Sequence, residues 1–256
     1  MRLVTIRTLS GGLTVVCDEN NPLDKYVRKE MQGQREGVIL SRMHHENIVK
    51  LIRVDGKYLV MELVDDMDLI EWCACLSGTP SLRTIQKIAR QLMRALIYLR
   101  EVHVIHRDVK PDNVIIQKST NRIKLVDFGL ACYEDEVELV SWNGTLRYMA
   151  PETFSLKKPA HERFSHKNDV YGAGLTIYAI AIDDTPLKET TSNLLYLLRL
   201  DGFDFHANLI QMRRNLWMEF HNEILDNWFK HCTAIDVDER YDANQAFAHR
   251  FLTSSA

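Results

Sequence analysis

The 256-residue chain has no long apolar run, no surplus of basic charge, no even set of cysteines and no repeated or low-complexity segment. Each absence removes a class of protein. The N-terminus opens Met1-Arg2-Leu3-Val4-Thr5, without an apolar signal core. The longest uncharged stretch, residues 170–182, falls short of the ~20 residues a helix needs to cross a bilayer. No membrane partner is expected, and the expected compartment is cytoplasm or nucleus. A formal charge of −3 supplies neither a basic footprint for nucleic acid nor an acidic tail. No nucleic-acid partner is expected, and any charge-based recognition has to be local. Five scattered cysteines, Cys17, Cys73, Cys75, Cys132 and Cys232, suit reduced thiols rather than a disulfide framework. Cys73 and Cys75 form a C-x-C with no second pair at zinc-ligand spacing, so packing explains them more simply than metal binding.

What is present is enough apolar residue, 46% of the chain, to fill the core of one or two domains. Residues 1–63 read as short strands around one helical stretch. Residues 13–17 and 58–63 are strand-like, and residues 35–43 have helical spacing with Val38, Ile39 and Met43 apolar. After Asp65-Asp66 the character changes. Ile85, Ile88, Ala89, Leu92, Leu96 and Leu99 recur at intervals of three and four, which predicts one long amphipathic helix over 82–102. Residues 114–116 and 123–126 read as a hairpin around Ser119-Thr120-Asn121. Further helices are predicted over 168–182, 192–200, 216–231 and 243–250.

The most informative stretch is His106-Arg107-Asp108-Val109-Lys110-Pro111-Asp112-Asn113, followed nineteen residues after Asp108 by Asp127-Phe128-Gly129. It places a base, a cation and two metal-seeking groups at the spacing that phosphoryl transfer uses. Gly144-Thr145-Leu146-Arg147-Tyr148-Met149-Ala150-Pro151-Glu152 follows in order. On these motifs the chain resembles the eukaryotic-type protein kinase family, and Lys110 with Gly144-Thr145 matches its serine/threonine branch. The resemblance implies an α+β, two-lobed fold across one kinase domain, residues 1–256. A small β-rich first lobe with one regulatory helix would span 1–63, and a larger, mainly helical second lobe 64–256.

The resemblance also implies roles. Asp108 is the expected base, Lys110 the expected phosphate contact, and Asn113 and Asp127 the expected ligands of magnesium, or manganese in its place, bound with ATP. Glu152 and Arg240 match the family's buried ion pair, and Asp169, five residues before Gly174, matches the helix start that braces the catalytic loop. His106, Phe128, Leu40 and Leu51 resemble its apolar spine, though core packing alone would explain them. Residues 58–64 resemble the strand into the adenine-binding hinge. Met61 is expected in front of the pocket, Glu62 and Val64 to offer backbone groups, and Asp68 to meet the ribose or a substrate side chain.

The first lobe departs from the pattern. Residues 9–16 fit the family's glycine-rich loop only with Leu9 and Thr14 where its first and third glycines belong, leaving Gly11 and Val16 as the expected nucleotide contacts. A simple hairpin turn is the competing reading of Gly11-Gly12. Glu36, nine residues before His45, is the expected partner of the phosphate-binding lysine; Lys29 precedes it by only seven residues, and Lys25 is the rival. Gly33 and Gly37, each costing ~1 kcal/mol in a helix relative to Ala, predict a regulatory helix that frays easily and an activating partner that steadies it. Ser141 is the expected phosphorylated residue, docking on an otherwise unpaired Arg107, with Thr145 nearby; Glu134, Asp135, Glu136 and Glu138 are the alternative source of charge.

The expected function is ATP-dependent phosphorylation of Ser and Thr in protein substrates, with basic residues before the target favoured by Asp68 and Asp112. The alternative is a pseudokinase-type interaction protein, which the eroded glycine loop favours and Asp108, Asn113 and Asp127 oppose. A small-molecule phosphotransferase is disfavoured because it would not need residues 144–152.

Overall fold

The computed structural model describes residues 2–9, 12–64, 67–139, 143–154, 159–182 and 222–254. The first part of the chain is an antiparallel five-stranded sheet in the order β1-β2-β3-β5-β4. Its strands are β1 (Leu3–Thr8), β2 (Thr14–Asp18), β3 (Asn21–Glu30), β4 (Leu51–Asp55) and β5 (Tyr58–Glu62), with helix α1 (Arg35–Ser41) between β3 and β4. β1 and β3 escape the periodicity reading. β3, NPLDKYVRKE, is largely polar, and β2 and β5 pair with it on both sides to impose the extended conformation.

The register determines which side chains share a face, because directly opposed residues of antiparallel strands point the same way. Val15 pairs with Val27, and Val27 in turn with Met61, while Lys29 pairs with Leu59. Lys25, Val27 and Lys29 therefore lie on one face with Val15 and Met61. Val16, opposite Tyr26, lies on the other.

The second part is built on α3 (Leu82–Glu101), whose Ile85, Ile88, Ala89, Leu92, Met93, Leu96 and Leu99 are buried as the three-and-four spacing predicts. Ser81 starts it, its hydroxyl accepting from the Thr84 N–H at 3.2 Å. Against it packs α5 (His166–Ile182), the uncharged stretch, buried on all sides from Val170 to Ile180. That burial explains why the run carries no charge. β6 (Met67–Asp68) and α2 (Leu69–Ala74) precede α3, and β7 (Val104–Ile105), β8 (Val114–Gln117), β9 (Arg122–Leu125), β10 (Cys132–Tyr133) and α4 (Ala160–Arg163) follow it before α5. β8 and β9 form the expected hairpin, with β6 added on the β8 side.

The last described helices are Glu223–Cys232, Ala243–Ala248 and Arg250–Thr253. The first begins at Glu223, where extended Asn222 caps it by accepting from the Ile224 and Leu225 N–H groups, and residues 216–221 of the expected helix lie outside the described residues. The expected helix over 243–250 breaks at His249, whose extended backbone starts the final turn. The helix expected over 192–200 lies outside the described residues. None of the described helices is long and apolar enough to cross a membrane.

The two parts share one core. Ile39, Leu40, Ile48, Leu59 and Met61 join the cluster that contains Leu92, Phe128, Tyr171 and Trp228. The loop after α1 is stapled onto β9, with the Leu125 N–H donating to Asn47 O at 2.8 Å and the Val49 N–H to Leu125 O at 3.0 Å. The C-terminal end of α1 is thus fastened to the helical part, while its N-terminal end faces β3.

Candidate active site

The loop after β7 is held from beneath by one carboxylate. Asp169, in the first turn of α5, accepts from the backbone N–H groups of His106 at 2.7 Å and Arg107 at 2.8 Å. Burial pushes the Asp169 carboxyl upward, and those N–H groups and His106 oppose that shift. Arg107 adopts φ 71°, a left-handed conformation that costs a non-glycine residue about 1–2 kcal/mol, so the backbone needs this brace. Gly172 lets α5 come close: a Cβ there would sit 2.6 Å from the Val109 carbonyl oxygen. The His106 ring is fully buried, edge-on to Phe128 at 4.6 Å between centroids, with Nε2 3.1 Å from Val126 O.

Both carboxylate oxygens of Asp108 are occupied. Oδ1 accepts from the Thr145 N–H at 3.0 Å, and Oδ2 from Asn113 Nδ2 at 3.0 Å and from Lys110 Nζ at 2.7 Å. Lys110 Nζ also donates to Thr145 Oγ1 at 2.7 Å. Gly144, at φ 144°, allows the approach, since a Cβ there would lie 3.3 Å from Arg107 O. Asp108, Lys110, Asn113 and Thr145, four residues singled out from the sequence, therefore form one cluster. Asn113 O accepts from the Val126 N–H at 2.9 Å, which sets Asp127 beside that cluster.

Asp127, at φ 61°, joins this cluster to the sheet. Lys29 Nζ lies 2.7 Å from Asp127 Oδ1 and 2.7 Å from Glu36 Oε1. Burial alone would lower the Lys29 pKa, but Asp127 and Glu36 outweigh it and hold it above the ordinary lysine value. Burial likewise raises the Asp127 carboxyl, and Lys29 reverses that, leaving it below the usual carboxylate range. Lys25 is exposed further along β3. The spacing of seven suffices because Glu36 sits in the first turn of α1 and only four residues link β3 to that helix.

Several expectations are corrected. Val16 faces away from Lys29, and Val15 holds the position on the Lys29 side. Asp68 does not point freely toward a ligand: its Oδ1 caps α2, accepting from Ile70 and Glu71 N–H at 2.8 Å each. Arg107 is not unpaired. Its Nη1 donates to Leu130 O at 3.1 Å, and its guanidinium lies 4.7 Å from the Phe164 ring centroid. Gly37 belongs to the packing, since a Cβ there would stand 3.1 Å from Leu59 Cδ2, and Gly33 precedes α1 rather than interrupting it. Gly11 and Ser141 lie outside the described residues. Gly12, at φ 77°, sits in the β1–β2 turn, which closes with Leu9 N–H donating to Leu13 O at 2.8 Å.

Elsewhere the placement follows the sequence. Met61 is buried at the end of β5, with Val64 half-buried just beyond it. Glu62 has a role that sequence reasoning missed: its Oε1 accepts from the Lys50 N–H at 2.7 Å and lies 2.6 Å from Lys124 Nζ. Glu152 and Arg240 form a buried bidentate pair at 2.6 and 2.8 Å, with Asn168 Nδ2 donating to Glu152 at 2.6 Å. The sequence reading also missed Arg35–Glu136, 3.3 Å apart, which ties α1 to the segment after Asp127. Two isolated charges in different elements leave no periodic signal.

Asn113 and Asp127 suit a hard cation. The Asn113 amide nitrogen is spent on Asp108, which leaves its oxygen as the acceptor, and Asp127 is an ionised carboxylate beside it. Among the described residues no group of three or more His, Cys, Asp or Glu forms a closed metal cage, so such an ion would need ligand atoms from a bound phosphate.

A family profile described as protein kinase domain matches residues 17–252. The chain belongs to the protein kinase domain family. It is 26% identical over 241 residues to calcium/calmodulin-dependent protein kinase type 1 of Macrobrachium nipponense, covering 90% of this chain and 66% of that protein. It is 29% identical over 172 residues to an Aurora kinase of Encephalitozoon cuniculi, covering 66% and 61%. The chain spans less than two thirds of the length of most such relatives, including 46% of the DNA damage response protein kinase DUN1 of Saccharomyces cerevisiae. Among solved structures, the Rad53 kinase domain, crystallised with SCD2 and AMPPNP, superposes with a TM-score of 0.73 at 23% identity, covering 99% of this chain and 91% of that one. The fold is the two-lobed kinase fold.

Proposed function

We propose that this chain is a single kinase domain, with lobes 1–63 and 64–256, that transfers the γ-phosphate of ATP to Ser or Thr hydroxyls of protein substrates. The observation that carries the reading is a pair of polar chains that the bond from the Val126 N–H to Asn113 O sets side by side: Glu36 to Lys29 to Asp127, and Asn113 to Asp108 to Lys110 and Thr145. Asp108 accepts the proton of the substrate hydroxyl as its oxygen bonds to the γ-phosphorus, and the bond to the β-phosphate oxygen breaks to leave ADP. Lys110 neutralises charge on the transferring group, and Lys29 holds the phosphates of the nucleotide. Asn113 and Asp127 would hold magnesium, which neutralises phosphate charge when bound. Met61, Glu62, Val64 and Val15 face or border the nucleotide.

Glu152, Asp169 and Arg240 act as scaffold. Asp112, exposed beside the catalytic loop, favours substrates with basic residues before the target, and a peptide library without Arg or Lys enrichment there would remove that preference. Transfer of labelled phosphate from ATP to a generic protein substrate tests the central reading. Asp108→Asn should lower the rate by about 10²–10⁴-fold with the thermal midpoint unchanged, and retained activity would overturn the assignment.

Control is read from the same geometry. With Lys29 already against Glu36 and Arg35 against Glu136, the acidic segment steadies α1 without phosphate at Ser141. Equal initial rates are expected for untreated chain, phosphatase-treated chain and Ser141→Ala; a loss in the last two would restore phosphorylation as the switch. A protein partner would act by steadying α1.

A further inference from the structure

A groove of about 740 Å³ lies among α3, the β8–β9 hairpin, the loop before β4 and the end of β5, and none of Asp108, Asn113 or Asp127 lines it. Five cations do: Lys87, Arg90 and Arg94 from α3, and Arg122 and Lys124 from β9. Among the described residues only two acids, Glu46 and Glu62, stand against them, so five minus two leaves +3 on the lining of a chain whose total is −3. Both acids are already engaged, Glu62 with Lys124 at 2.6 Å and Glu46 with Arg94 at 3.7 Å. Lys87, Arg90 and Arg122 have no carboxylate within ion-pair distance among the described residues. Lys87 Nζ donates to the Thr120 carbonyl and Arg90 Nη2 to the Leu252 carbonyl, bonds that anchor the head groups without neutralising them.

We propose that this groove docks an acidic, extended peptide segment of a protein partner. The spacing of the cations carries the choice of occupant. Lys87 and Arg94 are seven residues apart on one helix, about 10 Å, and Arg122 and Lys124 are two apart on a strand, about 7 Å. The charges are strung along two walls rather than converged on one point, as a compact phosphate group would require. Leu63 and Val64 add apolar surface at the end of β5, which suits aliphatic side chains between the acids. Such a segment would tether a substrate or regulator while leaving Asp108 uncovered.

The test uses the full chain and a fluorescein-labelled peptide of alternating Glu and Leu, read by anisotropy. Binding is expected, weakened by added salt. Lys87→Glu with Arg122→Glu, at two exposed side chains, should weaken it about tenfold or more, and the Gln versions less, with thermal midpoints unchanged in both. Equal affinity for wild type and the charge-reversed chain would overturn the proposal. So would a single-stranded oligonucleotide that binds as tightly and displaces the peptide, which would make the groove a nucleic-acid surface. Because binding is read without catalysis, the result is independent of whether the chain transfers phosphate.

Discussion

The two lobes hold their share of the site by different means. In the second lobe each group is fixed several times over: Asp108 receives Thr145, Asn113 and Lys110, and the loop beneath it is braced by buried Asp169. In the first lobe the C-terminal end of α1 is fastened through residues 47–49, but its N-terminal end rests on one ammonium, Lys29, which spans Glu36 and Asp127, and on the exposed Arg35–Glu136 pair. A loop that is over-determined keeps its geometry through substitution, whereas a helix end held by one cation can be switched. Regulation is therefore expected to act on α1, and folding stability to reside in the helical lobe.

Substitutions in each lobe can break this contrast. The largest effect on stability is expected for Arg240→Ala, which leaves buried Glu152 unpaired at a cost of about 3–5 kcal/mol, read as a lower denaturation midpoint. A loss below 1 kcal/mol would mean that the second lobe is not over-determined. Lys29→Met should lower phosphate transfer on the order of a hundredfold and also lower the midpoint, since it leaves buried Glu36 unpaired, whereas Lys25→Met should leave both alone. If Lys25→Met is the damaging change, the register of β3 is wrong. Gly172→Ala pushes a methyl against Val109 O and should cost about 1–3 kcal/mol together with activity, because it displaces the loop that carries Asp108. Arg35→Ala should cost at most about 1 kcal/mol of stability, as exposed pairs do, yet slow transfer by up to roughly fivefold.

The same contrast governs what could be read without coordinates. Residues 106–113, 127–129 and 144–152 are contiguous motifs, so the groups they place near one another were legible by position alone. α3 was legible because seven buried side chains follow the helical period. The first lobe resisted because its information is in register. Whether Val15 or Val16 faces Lys29 depends on the β2–β3 pairing, and a one-residue slip reverses every side chain. β3 has almost no apolar alternation of its own, and Asp68 and Glu62 are spent on backbone groups that no linear pattern announces. The cations of the groove come from a helix and a hairpin distant in sequence, so a net charge of −3 concealed them.

The smallest expected effect is on pH dependence, and it falls where the lobes join. Burial and the neighbouring cations Arg94 and Lys124 outweigh the pull of Glu46 and hold the His45 pKa below the ordinary histidine value. His45 stacks on Tyr98 at 5.1 Å between centroids, and its Nδ1 accepts from the Asn47 N–H at 3.1 Å, an acceptor role open only to an unprotonated nitrogen. With the folded pKa depressed, the unfolded chain takes up the proton first as pH falls below about 6.5. The stability contributed by neutral His45 is therefore complete above that pH and lost as pH falls through the folded value. His249, also lowered by burial, adds in the same direction from the helical lobe. The Lys29–Asp127 pair contributes nothing in this window, since Asp127 is depressed below the usual carboxylate range and Lys29 is raised above the lysine value. Denaturation midpoints between pH 5 and 7 should fall with acid in the native chain and fall less in His45→Asn, which cannot gain the proton. A parallel slope in the two chains would place the acid sensitivity elsewhere.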